Sequence, residues 1–306
     1  MLAVSLDAVL VAVTDETPKT LVVAGGDGGE GEGLRFPSGP LEGGDRTLEL
    51  GMRRVLRSQA GLEAGYAEQL YTFGDLARSP GGQPERMVSV AYLLLAHEER
   101  PRPPARWVVW YDLLPWEDHR NGRPEVLTRT IAPACRRWIA AADGPDEQSR
   151  REERAQVVFG LDGTPWDGVR VLERYELLYE LGLLAEAGRA DALASLALDL
   201  DHRRMAATAL GRLRGKLTYR PVVFELLPEA FTLLRLQRVV EALAGVRLHK
   251  QNFRRLVDSQ GLVEGTGSTA QTGGRPAELF RFRREVVRER PRPGVGTPWA
   301  GAGVSS

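Results

Sequence analysis

The chain has 306 residues, enough for one large or two modest domains, and its 42% apolar and 27% charged content is that of a folded globular protein. Its 41 basic and 41 acidic groups cancel, its one cysteine excludes an internal disulfide, and four scattered histidines argue against a structural zinc site. No apolar run reaches the length of a membrane span, and the apolar start MLAVSLDAVLVAV lacks a basic n-region, so the expectation is a reducing, cytoplasmic protein without membrane contact.

The zero net charge conceals a split. Residues 1–200 contain 22 basic and 32 acidic groups, whereas residues 201–290 contain 18 and 9. A basic C-terminal part suits a polyanionic partner; a merely basic solvated surface is the alternative.

In chain order, the first 115 residues read as strands around one helix. LAVSLDAVLVAV, TLVVAG, EQLYTFGD, MVSVAYLLLA and RWVVWYDL are rich in Val, Leu and aromatics and are separated by turn-forming residues. Leu48, Met52, Val55 and Leu56 recur at helical spacing, which predicts an amphipathic helix at about 47–60 ended by Gly61. GGDGGEGEG (25–33) lacks the Gly-Lys-Ser/Thr that completes a phosphate loop, so it reads as a hairpin connection. PEVLTRTIAPACRRWIAAA looks helical with a break at Pro133, because proline cannot continue the hydrogen-bond ladder. DGPDEQSRREER reads as a polar linker or the solvated start of a helix, and WDGVRVLERYELLYELGLLAEAG as one helix or two. Residues 1–120 are thus expected to form one domain, with 121–198 a helical connector or dimer contact.

From 199 to 290 the pattern changes. Asp201 is placed as the N-cap of DLDHRRMAATALGRLRGKL, the short apolar PVVFELLP follows, and Gly245 stops the helix TLLRLQRVVEALAG. After the turn GVRL comes HKQNFRRLVDSQG, ended by Gly261, and then two strands, GLVEGTG and ELFRFRREV, enclosing a Gly-rich tip. That order predicts a winged helix-turn-helix, followed by a disordered tail at 291–306. At 100° per residue, Phe253, Leu256 and Val257 share one side of the helix at 249–260; Gln251, Arg254, Arg255 and Asp258 share the other, with Lys250 and Asn252 at the flanks. Arg can bridge guanine edges, Gln adenine, and Lys can neutralise phosphate, so this face fits a major groove; an ordinary basic surface helix is the alternative. Arg275 at the wing tip and RFRR (281–284) are further candidates for the DNA backbone or minor groove.

Residues 34–62 resemble a degenerate Nudix box, Gly-x5-Glu-x7-Arg-Glu-apolar-x-Glu-Glu-x-Gly-apolar. Gly39 is followed by Asp45 in the first glutamate position, and a spacer one residue too long leads to Arg54. Val55 stands where the pattern has Glu, Leu56 is the apolar position, Ser58 and Gln59 replace the paired glutamates, and Gly61-Leu62 closes the box. Nudix hydrolysis uses those carboxylates to hold divalent metals, so the substitutions imply a scaffold without its metal cluster, which Glu49 alone does not rebuild.

With YAEQLYTFGD, LGRLRGKLTYRPVVFELLPEAFTLLRLQRVVEALAG, HKQNFRRLVDSQGLVEGTG and GGRPAELFRF, both ends resemble the Nudix-related transcriptional regulator family. The stretch 120–190 is longer than the connector expected for that family. The resemblance implies an α/β (α+β) fold, a Nudix-like mixed sheet with helices joined to a mainly helical winged helix-turn-helix. It further implies a repressor of nicotinamide-cofactor biosynthesis genes, binding double-stranded operator DNA as a homodimer and sensing ADP-ribose, with no metal and no other cofactor. Arg35 and Arg54 are candidate phosphate contacts and Tyr71 and Phe73 candidate base or ribose contacts; an ion pair for Arg54 and core packing for the aromatics are the alternatives. Two other functions stay open: an active pyrophosphatase on ADP-ribose-like nucleotides, and a regulator of this architecture sensing a sugar phosphate.

Overall fold

The computed structural model describes residues 2–25, 33–74, 86–188, 193–271 and 276–296. Most of the glycine-rich loop and Arg275 lie outside the described residues.

β1 (Leu2–Thr14) and β2 (Thr17–Ala24) form a hairpin whose two-residue turn, Asp15-Glu16, has both residues left-handed, at φ 48° and 62°. That geometry matches the twist of the flanking strands. β3 (Leu34–Arg35) pairs β2, and β4 (Ser38–Pro40) pairs β1. On its other edge β1 runs parallel to β6 (Arg86–Leu95), which pairs antiparallel with β5 (Tyr66–Phe73); β7 (Arg106–Val109) adds to β2. The result is a mixed sheet of seven strands. β1 is buried on both faces: Leu6, Ala8 and Leu10 point to α1 (Leu48–Ala60), while Val9 and Val11 point to the helical body. At its start α1 is capped by Thr47, whose Oγ1 accepts the Leu50 N–H at 3.1 Å, and at its end by left-handed Gly61.

Two segments between the ends differ from expectation, and in a third the structure selects one of the two readings. RWVVWYDL is a strand only to Val109; the chain then turns into the short helix α2 (Trp110–Leu113), which buries Trp110, Tyr111 and Leu113. Periodicity cannot separate a buried strand from a buried helix in so short an apolar run. Pro133 does not break its helix: a π-helical turn at Leu127–Ile131 leads directly into α3 (Ala132–Ala140), with Pro133 in its first turn. The wider turn accommodates the missing N–H. DGPDEQSRREER begins α4 (Pro145–Phe159), with Pro145 in its first turn and Glu147 paired to Arg150 and Arg151.

α5 (Val171–Glu180) and α6 (His202–Leu217) then pack together, and α7 (Leu233–Ala244), α8 (Lys250–Gln260), β8 (Val263–Ala270), β9 (Ala277–Phe282) and α9 (Val286–Glu289) complete the chain. Asp201 occupies the N-cap position of α6 without a side-chain capping bond. Val9, Phe159, Leu177, Leu210, Leu236 and Phe253 belong to one continuous core, so the sheet, the middle helices and the C-terminal part bury a shared apolar interior. Residues 291–296 depart from the expected disorder. Pro293, Gly294 and Val295 are buried, and the Val295 N–H donates to the Leu217 carbonyl at 2.7 Å; the rest of the tail lies outside the described residues. No described helix is long and apolar enough to cross a membrane.

His119 lies in this interior, its ring tilted against Trp166 with centroids 4.1 Å apart, and both ring nitrogens are buried and without hydrogen-bond partners. Burial pulls its pKa down to about 4; Glu117 opposes the shift, and Arg214, Arg174 and Arg123 reinforce it. The unfolded chain takes up this proton below about pH 6.5, whereas the folded chain does so only near pH 4, so His119 favours folding above pH 6.5 and that contribution falls as pH drops towards 4. Urea midpoints at pH 7.5 and pH 5 are expected to differ more for the natural protein than for His119→Phe. An equal difference in both would remove His119 as the cause.

Candidate nucleic-acid interface and sensor site

α7 is held at its start by Thr232, whose Oγ1 accepts the Arg235 N–H at 3.1 Å, and at its end by Gly245 at φ 72°. The turn to α8 is stapled by Glu241. Its Oε1 accepts the Leu248 N–H at 3.0 Å and the Gln237 amide at 2.8 Å, while its Oε2 accepts Arg247 at 2.8 Å. Burial raises the pKa of this carboxyl, but the Leu248 N–H and Arg247 outweigh it and leave Glu241 below the ordinary glutamate value. α8 buries Phe253 and Val257, with Leu256 half-buried against Gly296. Lys250, Gln251, Asn252, Arg254, Arg255 and Asp258 are all exposed, which is the division read from helical spacing. Asn252 Oδ1 accepts from Arg255 Nη2 at 2.6 Å, so the two share one surface. In the wing, Arg281 pairs with Glu264 across the ladder and Arg283 with Glu289, which leaves Arg284 as the exposed cation of RFRR without an ion pair among the described residues.

On α1, the positions of the missing glutamates serve packing. Val55 is buried against Gly39, where an added Cβ would lie 3.0 Å from its Cγ2. The Ser58 hydroxyl donates to the Val55 carbonyl, and Gln59 exchanges two hydrogen bonds with the Ser38 backbone, at 3.2 and 2.7 Å. Arg54 grips Asp45 with two bonds, at 2.9 and 2.8 Å, and reaches Glu42 at 2.8 Å. Arg54 and the Glu42 N–H together hold the Asp45 carboxyl at about 2. Among the described residues no group of three or more His, Cys, Asp or Glu is placed to hold a metal. The donor set does not fit one either, since an isopropyl group, a hydroxyl bonded within its own helix and a neutral amide offer no anionic ligand.

The four candidate effector contacts do not converge. Arg54 is committed to acids on the α1 side of the sheet. Phe73 is 2% exposed and packs in the core, with Tyr71, 57% exposed, edge-on to it at 5.3 Å. The register places Tyr71, Ala91, Asp7 and Ser38 in a row, so β5 and the β4 segment beside Arg35 stand three strand spacings apart, about 14 Å. Arg35 differs from the other three: its Nε is buried without a hydrogen-bond partner.

Reasoning from sequence missed the ground between α5 and the start of α6. His202 Nδ1 accepts the Phe36 N–H at 2.9 Å, tying α6 to the β3–β4 link. Beside it lies a cavity of about 770 Å³ whose lining includes Tyr175, Tyr179, Glu176, Glu186, Asp199 and Arg204. Its acidic lining is ill suited to a polyphosphate. No spacing signal marks it, because its walls come from three separate stretches.

Residues 223–282 match a family model described as the NrtR DNA-binding winged helix domain. The ADPR responsive transcriptional repressor NtrR of Acinetobacter baylyi is 40% identical over 90 residues, 29% of this chain and 36% of that protein, so the match spans about a third of the curated relative. Shewanella oneidensis NrtR, in a crystal structure complexed with a 27mer DNA, is similar with a TM-score of 0.59 at 21% identity, over 93% of this chain and 95% of that one. A MutT/nudix family protein from Enterococcus faecalis is similar with a TM-score of 0.53 at 14% identity, over 92% and 87%. The chain thus has the fold of these structures, an α+β Nudix-like domain followed by a winged helix that matches the NrtR DNA-binding winged helix model over residues 223–282.

Proposed function

We propose that this protein is a ligand-responsive transcriptional regulator, a repressor that binds double-stranded operator DNA as a homodimer and is released by a nucleotide effector. The observation that carries this reading is α8: anchored by Phe253 and Val257 inside an NrtR-type winged helix, it exposes Lys250, Gln251, Asn252, Arg254 and Arg255 together. Arginine and the amides match guanine and adenine edges, and lysine matches phosphate. One such helix reads only a few base pairs, so two copies on a symmetric site supply useful specificity.

The effector we assign is ADP-ribose, since the Acinetobacter relative is named as ADPR responsive; the resemblance of both ends of the chain to the Nudix-related regulators further assigns the genes of NAD metabolism as those controlled. Arg35, with its orphaned Nε, is the effector contact best supported of the four. Val55, Ser58 and Gln59 support binding without hydrolysis, which suits a sensor that must leave its signal intact. Switching further requires the effector to prefer the DNA-released arrangement.

The test is a fluorescent duplex from the region upstream of the protein's own gene, titrated with protein and then with ADP-ribose, AMP or a sugar phosphate, with magnesium present. Expected are duplex binding, release by ADP-ribose at concentrations where AMP has no effect, and ADP-ribose recovered uncleaved. Absence of duplex binding would sink the regulator reading. Brisk magnesium-dependent turnover would return the chain to the pyrophosphatases, and release by a sugar phosphate alone would reassign the effector.

A further inference from the structure

The tip of the β1–β2 hairpin reaches the DNA-reading end of the molecule. Glu16 Oε1 lies 3.2 Å from Arg238 Nε on α7, and Glu16 Oε2 lies 3.3 Å from Arg247 Nη1 in the turn before α8. The three side chains are each about two-fifths exposed. Arg238 Nε is buried and makes no hydrogen bond, so its contact with Glu16 is a charge contact without alignment, whereas Arg247 Nη1 donates to Glu16 Oε2. Ion pairs between side chains this exposed contribute little, so the pair separates at small cost. The hairpin tip is itself held from the middle of the chain: the Arg120 guanidinium donates to the Glu16 carbonyl and is clamped by both carboxylate oxygens of Asp118.

Two carboxylates therefore face two guanidinium groups. Glu241 is buried and bound to the turn backbone, so it cannot leave; Glu16 belongs to another part of the fold and can. In a helix-turn-helix the first helix crosses the DNA backbone while the second enters the groove. Cations on α7 and in the turn then lie along the phosphate path, beside Lys250 and the α8 N-terminus, which has no side-chain cap. Glu16 places a negative charge on that path.

We propose that Arg238 and Arg247 form a second phosphate-contact surface for duplex DNA, and that Glu16 of the N-terminal sheet competes with the DNA backbone for them. This rests on the reading of the chain as a duplex reader. The surface carries no sequence information, so its contribution is the same for operator and non-operator duplexes. It also gives the sheet a direct hold on the reader, because any shift of the hairpin relative to α7 changes the positive charge presented to DNA.

The test compares native protein, Glu16→Gln, Arg247→Ala and the double variant by fluorescence anisotropy across a salt series, on an upstream duplex and a mixed-sequence duplex of equal length. Glu16→Gln is expected to bind both duplexes about three- to tenfold more tightly at low salt, with a log–log salt slope steeper by about one. Arg247→Ala is expected to weaken binding and flatten the slope by about one, and in that background Glu16→Gln should yield a smaller gain. Thermal midpoints of all four proteins report folding. Glu16→Gln binding with native affinity and slope, or more weakly, overturns the proposal; if Arg254→Ala still weakens binding in that case, the duplex-reading conclusion survives. No duplex binding by any of these proteins overturns both.

Discussion

Glu117→Ala is expected to destabilise the fold by about 3–5 kcal/mol, the usual cost of stranding a buried charge. Glu117, Arg174 of α5 and Arg214 of α6 are all fully buried. Arg174 donates to both carboxylate oxygens of Glu117, and Arg214 donates to Oε2 and to the Glu117 carbonyl. Burial alone would raise the pKa of the Glu117 carboxyl, but the two guanidinium groups prevail and hold it below the ordinary glutamate range. Removing the carboxylate leaves two like charges in a low-dielectric interior, their remaining bonds going to neutral acceptors, the backbone carbonyls of Gly168, Val158 and Leu243 and the Tyr111 hydroxyl among them. Glu117→Gln keeps the shape but loses the charge, so it should fall between the two. The triad also adjoins the winged helix. Tyr111 donates to the Ala242 carbonyl at the end of α7, and a Cβ on Gly245 would lie 2.4 Å from the Glu117 carbonyl oxygen. Denaturant unfolding of the three proteins is the measurement, and an alanine variant with the native midpoint would show that water or a counter-ion reaches the site.

Arg254→Ala and Arg255→Ala are each expected to weaken operator binding by about 1–3 kcal/mol where the side chain bridges a base edge. Both arginines are exposed on α8, and Phe253 and Val257 fix the helix beneath them, so truncation removes a contact without disturbing the core. The Asn252–Arg255 bond couples two of the exposed α8 side chains, and losses at Asn252 and Arg255 should not add. Anisotropy on matched and single-base-changed duplexes separates the roles. A base reader loses discrimination at one position, whereas a phosphate contact weakens all sequences alike and lowers the salt slope. Native affinity in the double variant would remove α8 from the interface.

What could be read in advance was local. α1, with its apolar spacing and Gly61 stop, and the succession of α7, turn, α8 and a two-stranded wing each depend on residues within a few turns of one another. The division of α8 into a buried and an exposed face follows from 3.6-residue periodicity alone. The absence of carboxylates at Val55, Ser58 and Gln59 was equally plain, because a ligand atom is either present in a side chain or not.

Other features had no such signal. The switch from strand to helix at Trp110 and the π-helical turn before Pro133 are settled by what packs around them. Arg54 offered a phosphate contact or an ion pair on equal terms until the fold brought Asp45 and Glu42 to it. Glu117 meets Arg174 and Arg214 across 57 and 97 residues, and Glu16 meets Arg247 across 231. Composition and spacing alone determined most of the elements, their amphipathic faces and which side chains stand at positions 55, 58 and 59. Which charges pair and where the sheet touches the winged helix were decided by tertiary structure, since an arginine's role depends on the carboxylate that folding places within about 4 Å of it.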